Sequence, residues 1–577
     1  MNPSKYRYSI GMVHSPDLEV AVNQNYGAKF APVWAYTLAS YIPKKHYVVE
    51  LFDLQSMSIN KVSEKEIFLF SGINQDIAEI HKSYEFLKTK YPKSKFLIGG
   101  PICWSLDKAN ELNKLDVFDH ICIGDGELMI ASILDDIRNN RSMNKIIREE
   151  RRFDVGNANQ MDRELIKQTQ NNYFGSIVEV SRGCPFLCEF CDIRVMNDNN
   201  RSHNFSVEYI INEVDYITEL GVNQITFACD NFIGDLRWAE KVVDALIEWS
   251  KRTGKQINIY TWLTINVYKH KELLRKMRQA GFELLFLGIE SFNKNALLET
   301  AKVQNTVPQL INALREIQSF GFIIIAGLII GFDSDKEDFD EVALNGLLKA
   351  GLISGDPNFL TALPGTPLYR RMKLSGRLRD AWATHGGIKY QTNIKYILDR
   401  RTMIDGFQRF VSKNNDPQYQ YARFKNFINL MGNSNHIALS GSGFGDSKKF
   451  LKLALKDRHA IKQLIKRLCI LLFKFKNLYY LTLGFLLIMK NPNRIKYFNY
   501  FQFWAFAWTN SVVKYGNLTE SDFDVESISE DFDYGQLVPD DYRKTATEMI
   551  SFSKIKAQQR ISVKQLEQTA AELKRDP

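Results

Sequence analysis

The chain has 577 residues, of which 45% are hydrophobic and 24% are charged, with a net charge of +9. These values are ordinary for a folded protein and exclude wholesale disorder; at roughly 150 residues per domain, the length predicts three or four domains. No uncharged apolar run reaches about 18 residues, so we expect no membrane-spanning helix, and the N-terminal sequence does not resemble a signal peptide. Seven cysteines, an odd number, argue against a disulfide scaffold and favour the reducing cytoplasm.

Residues 1–150 alternate short apolar segments with helical patterns. This alternation predicts βαβ units and an α/β fold with a doubly wound, Rossmann-like parallel sheet. Five segments have the pattern of buried strands: YRYSIGMV, HYVVELFDL, EIFLFSGI, KFLIGGP and HICIGDGE. Small residues follow the third, fourth and fifth of them, where a ligand enters such a sheet. These residues are Ser71, Gly72, Gly99, Gly100, Pro101, Gly124 and Gly126.

The remainder of the chain divides into four predicted regions. Residues 151–172 are polar and weakly patterned, which is typical of a linker. Residues 173–385 contain six strand-like segments with helices between them, and this order predicts a full or partial (β/α) barrel. Residues 386–516 have a mostly helical pattern that is rich in aromatic residues. Residues 517–577 are acidic and then helical, and we expect them to be loosely attached.

Three cysteines follow the first strand of the barrel region, in the segment SRGCPFLCEFCDIR. Cys184, Cys188 and Cys191 could hold three irons of a [4Fe–4S] cluster and leave the fourth iron open to a small molecule. A zinc knuckle and chance clustering are the alternatives; structural zinc needs four ligands, and no fourth Cys or His lies nearby with the expected pairing. The other four cysteines are predicted to be small buried hydrophobic residues: Cys103, Cys122, Cys229 and Cys469.

The cysteine spacing and its place in the barrel resemble the radical S-adenosylmethionine (SAM) superfamily. The resemblance implies that the cluster binds SAM and cleaves it to a 5′-deoxyadenosyl radical. It also implies an aromatic contact near the adenine, contacts to the methionyl amino end and the ribose, and close backbone approach to the adenosyl group. Phe190 matches the aromatic residue near the adenine, Asp230 and Asn231 match the contacts to the methionyl amino end, and Glu290 matches the contact to the ribose. Gly327 and Gly331 match the backbone close to the adenosyl group, and Pro364 matches the turn after the sixth strand.

A doubly wound domain ahead of such a barrel resembles the cobalamin-dependent radical SAM class. The resemblance implies that the small residues at the strand ends bind cobalamin, with Gln75 near the lower side of the corrin. The D-x-H-x-x-G motif, which supplies a histidine to cobalt in other cobalamin proteins, is absent. Many members of this class also lack it and bind cobalamin without a protein histidine on cobalt. A Rossmann-like domain with a purely structural role is the alternative.

The C-terminal region resembles the extension of the hopanoid-methylase subgroup of this class. Between residues 448 and 496, thirteen Lys or Arg residues face one acid, and between residues 520 and 541 there are nine acids and no Lys or Arg. Apolar residues at helical spacing predict a basic amphipathic helix: Leu451, Leu455, Ile461, Leu464, Ile465 and Leu468. Three roles are open: a lid on the barrel mouth, attachment to an anionic membrane, or a nucleic-acid patch.

We therefore expect a cobalamin-dependent radical SAM enzyme, a C-methyltransferase acting on an unactivated carbon of a lipid or other hydrophobic substrate. An external reductant of the flavodoxin or ferredoxin type would supply single electrons, and the protein would be cytoplasmic, with peripheral attachment to the inner face of the membrane. One alternative keeps the cofactors but performs cyclisation, rearrangement or C–C coupling. Another is a non-catalytic iron–sulfur or zinc protein that interacts with nucleic acid.

Overall fold

The computed structural model describes most of the first 432 residues and selected parts of the remainder. The described ranges are 7–17, 30–305, 310–379, 391–432, 435–439, 475–490, 494–502 and 519–539, with the single residues 452, 455, 461, 465, 469, 542, 548 and 549.

The N-terminal region is a six-stranded parallel sheet with the order β2-β1-β3-β4-β5-β6. Its strands are β1 (Tyr8–His14), β2 (Tyr47–Asp53), β3 (Ile67–Ser71), β4 (Lys95–Gly99), β5 (His120–Ile123) and β6 (Ile146–Arg148). Its helices are Val33–Ala39, Ile77–Lys90, Pro101–Ala109 and Gly126–Arg138. The doubly wound sheet is confirmed, with β6 as an additional short edge strand. The strand order reverses between β1 and β3, and in such sheets a ligand binds at that point, outside the carboxyl ends of the strands.

The central region is a second six-stranded parallel sheet, whose order follows the chain without interruption. Its strands are β7 (Ser176–Glu179), β8 (Gln224–Ala228), β9 (Asn258–Leu263), β10 (Phe282–Glu290), β11 (Ile323–Ile330) and β12 (Asp356–Phe359). Its helices are Val207–Glu219, Leu236–Thr253, Lys271–Gln279, Lys294–Glu299, Leu310–Ser319, Phe339–Ala350 and Pro367–Leu374. Strands β7 and β12 are its two edges, so the sheet is a partial (β/α) barrel, as the sequence predicts.

The segment between the two sheets is packed against both of them. It contains the helix Arg163–Thr169, and Leu165 and Ile166 belong to one apolar cluster that includes residues of both sheets. The hydroxyl of Tyr173 donates to Asp53 at 2.8 Å. The two sheets are therefore joined by a continuous core and hold a fixed arrangement.

A helical extension packs at the amino-terminal end of the barrel. Its helices are Arg400–Asn414, Pro417–Leu430 and Phe475–Met489. Aromatic residues of the extension, among them Phe424 and Phe501, form one apolar cluster with Tyr260 and Ile323 near the starts of β9 and β11. Active sites of (β/α) barrels lie at the opposite, carboxyl-terminal end. The helices Pro417–Leu430 and Phe475–Met489 are therefore a floor under the barrel, and the expectation of a lid on its mouth is wrong for Phe475–Met489, the described helix of the basic segment. The helix Arg400–Asn414 runs along the side of the barrel: Met403 and Phe407 pack with Ile330 and Phe332 at the carboxyl end of β11, and Asn414 donates to the carbonyl of Gly355 before β12.

The acidic segment after residue 517 is attached to the barrel, contrary to the expectation of a loose tail. Strand β14 (Asp524–Ser527) pairs in parallel with β13 (Gln391–Tyr396), and Phe523 and Val525 are buried. The acids have basic partners, because Arg379 lies 2.6 Å from Asp524. Charge complementarity and two buried side chains thus fix this segment on the protein.

Most of the predicted basic amphipathic helix lies outside the described residues, including Leu451, Leu464 and Leu468. Leu455 and Ile465 are exposed. Cys469 is also exposed, so its assignment as a buried residue is wrong; its lysine-rich surroundings suit a surface position. In the described part of the chain, no helix has the length and apolar character needed to cross a membrane.

Candidate functional site

The three cysteines lie on a loop that leaves the carboxyl end of the first barrel strand. The loop begins at Gly183, whose positive φ of +86° favours glycine. The backbone N–H of Gly183 donates to the Asp230 carboxylate at 2.6 Å, and the N–H of Cys191 donates to the carbonyl of Cys188 at 3.3 Å. Asp230 follows β8, so the first turn of the loop is tied to the neighbouring strand.

Burial disfavours a bare thiolate at Cys184 and at Cys191. Burial raises the pKa of Cys184 to about 12, and burial together with the charges of Asp192 and the neighbouring cysteines raises the pKa of Cys191. Side-chain amides approach the sulfurs: Asn231 Nδ2 lies 3.8 Å from Cys184 Sγ. Similarly, Gln304 Nε2 lies 3.6 Å from Cys188 Sγ. A bound cation would supply the charge that makes these thiols ionise.

The donor set fits a [4Fe–4S] cluster better than zinc. Within the described ranges, no three His, Cys, Asp or Glu side chains converge on a point that could hold one metal ion. Structural zinc needs four ligands around one point, whereas the thiolates of a cluster each bind a different iron and need not converge. The buried amide oxygens of Asn231 and Gln304 have no hydrogen-bond partner among the described residues, as expected beside a site for a polar ligand.

A buried ion pair lies beside the cysteines. Lys302 Nζ is 2.9 Å from Glu290 Oε1 and 5.8 Å from the centre of the Phe190 ring. Burial alone would lower the pKa of Lys302, but the charges of Glu290 and Cys188 outweigh it and raise that pKa. Glu290 has a positive φ of 63°, a conformation that costs about 1–3 kcal/mol and is concentrated at functional sites. The structure thus places Phe190 and Glu290, both predicted to contact SAM, near one lysine, Lys302.

The remaining residues predicted to bind SAM have different surroundings. Asp230 lies at the end of β8, and burial raises its pKa to about 6. Gly327 and Gly331 lie on β11 and just after it, where a Cβ would meet the rings of Phe286 and Tyr396. Close packing of protein side chains therefore accounts for both glycines without a ligand. Pro364 is buried in a turn after β12.

A cavity of about 590 Å³ lies between the carboxyl edge of the N-terminal sheet and the mouth of the barrel. This volume is within the range of cofactor sites. Six of the eight residues predicted for cobalamin line it: Ser71, Gly99, Gly100, Pro101, Gly124 and Gly126. Gly72 and Gln75 are not among its lining residues. The barrel contributes Asp230 and Trp262, so both sheets form its walls.

The polar groups of the cavity come from both sheets. Arg182, next to the cysteine loop, lies 2.5 Å from Glu127 of the N-terminal region and 2.7 Å from Glu179 of β7. The hydroxyls of Thr37 and Ser181 line the cavity and have no hydrogen-bond partner in the described chain. Buried hydroxyls without a protein partner are expected beside a site for a polar ligand. No histidine is among the described residues that line the cavity, in agreement with the missing D-x-H-x-x-G motif.

This architecture, with cysteines on the loop after the first strand of a partial barrel, defines a class of domain. Residues 178–344 match the model of the radical SAM superfamily, and the chain therefore contains a radical SAM domain. Residues 366–515 match a domain of unknown function, DUF4070, which corresponds largely to the helical extension.

Two relatives and one solved structure are informative. The chain is 31% identical to the hopanoid C-2 methylase of Rhodopseudomonas palustris over 44% of this chain and 47% of that protein. It is 27% identical to an uncharacterised methyltransferase of Synechocystis, over 64% of this chain and 67% of the relative. The cobalamin-dependent radical SAM enzyme OxsB, solved with aqua-cobalamin and SAM bound, has a TM-score of 0.55 at 15% identity, covering 94% of this chain and 84% of OxsB. The likeness to OxsB shows a common fold, and the match to the hopanoid methylase spans about half of that relative.

Sequence reasoning missed three residues of the site. Lys302 and Gln304 follow no motif, and only the fold brings them to the cysteines. Glu189 lies inside the cysteine motif itself, but it resembles a solvated loop acid in the sequence, whereas its side chain is 1% exposed. A buried acid in such a position can be recognised only from its partners.

Proposed function

We propose that the protein is a cobalamin-dependent radical SAM C-methyltransferase. The observation that carries this proposal is the shared cavity: Asp230 lines it and also accepts the N–H at the start of the cysteine loop. A cofactor held at the strand ends of the N-terminal sheet would therefore lie next to one held by the cysteines. The names of the relatives, which are methylases and methyltransferases, agree with this assignment.

Each part of the site has a defined task in this proposal. When bound, the cluster would supply the electron that cleaves SAM, and cobalamin would carry the methyl group. Cys184, Cys188 and Cys191 would hold the cluster. Glu290 and Lys302 present an acceptor and donors to the SAM hydroxyl and carboxylate groups. The walls of the cavity and the bound cofactors would limit the access of water, which would otherwise compete for reactive species.

The interior of the barrel favours a hydrophobic substrate. Along β9 to β11 the residues that face the helices are fully buried, and the alternate residues face the barrel interior. The latter include Trp262, Phe286, Ile325 and Ile329, and they are only partly buried. Partly exposed apolar residues at the barrel interior suit contact with a lipid or another apolar molecule.

Attachment to an anionic membrane would keep the protein close to such a substrate, with the attaching helix at the amino end of the barrel and the mouth at the opposite end. The helix Phe475–Met489 packs on the helix Pro417–Leu430 by one face and exposes large apolar residues on the other. These residues are Phe475, Leu478, Tyr479, Phe485, Leu486 and Met489. Their spacing forms one stripe of a helix, and the chain around it, residues 448–496, is strongly basic. An apolar stripe within a basic segment is typical of a helix that lies in the surface of an anionic bilayer.

Vesicle binding tests the attachment. The double variant Phe475→Ser, Leu486→Ser should bind more weakly to vesicles that contain anionic lipid. A triple variant with Glu in place of Lys462, Lys466 and Arg467 should not bind these vesicles. Leu374→Ser, at another exposed apolar helix position, is the matched control. Equal binding by all variants, or no binding by the wild type, would contradict the attachment.

The enzymatic proposal is tested by anaerobic purification with added cobalamin. We expect bound cobalamin, about four irons per chain and reductant-dependent cleavage of SAM. A product heavier by one methyl group supports methyl transfer, whereas a product of unchanged carbon count indicates cyclisation or rearrangement. Stoichiometric zinc without iron would contradict the proposal.

A further inference from the structure

We call the described residues of 519–549 the strap. This C-terminal segment runs back to the mouth of the barrel. Its first part is fixed by Arg400, which donates to the carbonyl of Val525 at 2.9 Å, and by the pairing of β14 with β13. Further along, Arg371 Nη1 donates to the carbonyl of Leu537 at 3.4 Å. Arg371 lies on the helix that follows β12, so the strap reaches the carboxyl end of the barrel, where the cysteines lie.

The strap meets the cysteine loop at Glu189. This carboxylate lies between Cys188 and Cys191 in the sequence and accepts from Arg371 Nε at 2.7 Å and Nη2 at 3.0 Å. The hydroxyl of Tyr542, in the strap, donates to Glu189 Oε1 at 2.7 Å. Because the carboxylate is nearly fully buried, the guanidinium and the hydroxyl together satisfy it.

A small apolar cluster surrounds this hydrogen bond. Tyr542 is 1% exposed, Met549 is 3% exposed and Ala301 is fully buried, and Leu187 of the cysteine loop packs against them. Arg194, just after the loop, donates to the carbonyl of Leu187 at 3.1 Å and lies 2.9 Å from the sulfur of Met549. The strap therefore contacts the loop before Cys188 and after Cys191 as well as between them.

We propose that the strap clamps the cysteine loop, with Tyr542 and Glu189 as positioning residues, and shields the bound cluster from oxygen and water. The shielding rests on the proposed function, since it concerns the cluster; the clamping does not. The loop spans only a few residues between ligands, and its conformation is set by groups outside it. Without the strap, Glu189 keeps Arg371, but the side of Leu187 that Tyr542 and Met549 cover would be open.

The test compares Tyr542→Ala and Tyr542→Phe with Tyr534→Ala, a matched control. Tyr534 is a tyrosine of the same strap that is 60% exposed. Hydrogen exchange of the peptide that spans residues 183–195 is measured in the metal-free full chain. In the reconstituted protein, the decay of the cluster absorbance is followed in air. Thermal unfolding of each variant separates a local effect from a global one.

We expect the loop of Tyr542→Ala to exchange about tenfold faster, because losing a hydrogen bond to a charged group favours local opening. Tyr542→Phe, which keeps the ring, should give a smaller increase, and Tyr534→Ala none. The cluster should decay severalfold faster in Tyr542→Ala. Unchanged loop exchange in both Tyr542 variants would overturn the clamp, and an unchanged decay rate would overturn the shielding. The exchange experiment needs no cluster, so its outcome is independent of the proposed function.

Discussion

The two ends of the barrel are built from different kinds of contact. At the carboxyl end, residues that follow barrel strands, such as Ser181 and Asp230, surround the cavity together with residues of the N-terminal sheet, such as Ser71. At the amino end, the extension is fixed by an apolar cluster and by buried polar contacts. Lys496 lies 2.9 Å from Glu283, and the Tyr497 hydroxyl donates to the carbonyl of Gly321 at 3.0 Å. The carboxyl end surrounds a cavity that could hold a ligand, whereas the polar contacts named at the amino end join one part of the protein to another.

This difference predicts which property each end controls. Substitutions at the carboxyl end should change the binding of cluster, SAM or cobalamin, with a loss of stability as well where they break a buried ion pair. Substitutions at the amino end should change stability and leave cofactor binding intact. The four predictions below test this division, beginning with the largest expected effect.

Replacement of Cys184, Cys188 or Cys191 by Ala should abolish the cluster, because each thiolate holds a separate iron. Iron content and visible absorbance after anaerobic reconstitution measure the loss. Cys103→Ala and Cys469→Ala, which change one buried and one exposed thiol, are the controls and should bind iron normally. A cluster that survives all three substitutions would place the ligands elsewhere.

Arg182→Met should destabilise the protein by about 3–5 kcal/mol, because it leaves Glu127 and Glu179 buried without their partner. Glu127 lies on a helix of the N-terminal region and Glu179 lies on β7 of the barrel, so the cavity between the two regions should also bind cobalamin less tightly. Combining Arg182→Met with Glu127→Gln and Glu179→Gln removes the unpaired charges and should restore most of the stability. Denaturant unfolding and equilibrium dialysis with cobalamin measure the two effects. If Arg182→Met is as stable as the wild type, the ion pairs of Arg182 with Glu127 and Glu179 do not stabilise the protein.

Glu290→Gln together with Lys302→Met should weaken SAM binding by about ten- to a hundredfold, since a hydrogen bond to a charged group contributes about 1.5–3 kcal/mol. The double variant is needed because either single change leaves a buried charge without its partner. The cluster should be retained, which iron content checks. If the folded double variant binds SAM as tightly as the wild type, Glu290 and Lys302 do not contribute to the SAM site.

The sequence was sufficient for the elements and for many residues at the strand ends. Parallel strands bring their carboxyl ends to one edge, so the residues after β3, β4 and β5 could be assigned to one site from chain order alone. Gly72 and Gln75 do not line the cavity, because the loop after β3 folds into a short turn closed by Asp76, whose carboxylate accepts the Ile73 N–H at 3.0 Å. A Cβ on Gly72 would meet Ile80 at 2.7 Å, so that glycine serves packing.

The C-terminal part was the least predictable, because its contacts depend on distant partners. The acids of the strap resemble a solvated tail until Arg379 and Arg400, far away in the chain, are placed beside them. Lys302 similarly becomes a site residue only through its contact with Glu290. Periodicity and motifs report local structure and strand order, and they carry no information on such pairs.

The smallest expected effect concerns His436 at the amino end of the barrel. Its ring lies 3.2 Å from the Tyr497 hydroxyl. Burial, with the nearby charges of Arg278, Arg494 and Lys496, lowers the pKa of His436 to about 4. The folded protein therefore favours the neutral ring, whereas the unfolded chain takes up a proton near its ordinary pKa of 6.5. The stability that results is complete above about pH 6.5 and is lost as the pH falls towards about 4.

After allowance for partial exposure, this loss should amount to about 1–2 kcal/mol. His436→Gln cannot take up the proton, so the difference between wild type and variant in denaturant unfolding isolates this group from the carboxyl groups that titrate in the same range. That difference should shrink as the pH falls from about 6.5 to about 4, while iron and cobalamin content at neutral pH stay equal in the two proteins. A pH-independent difference would show that His436 is solvated, and lost cofactor in the variant would show that the two ends of the barrel are not separate.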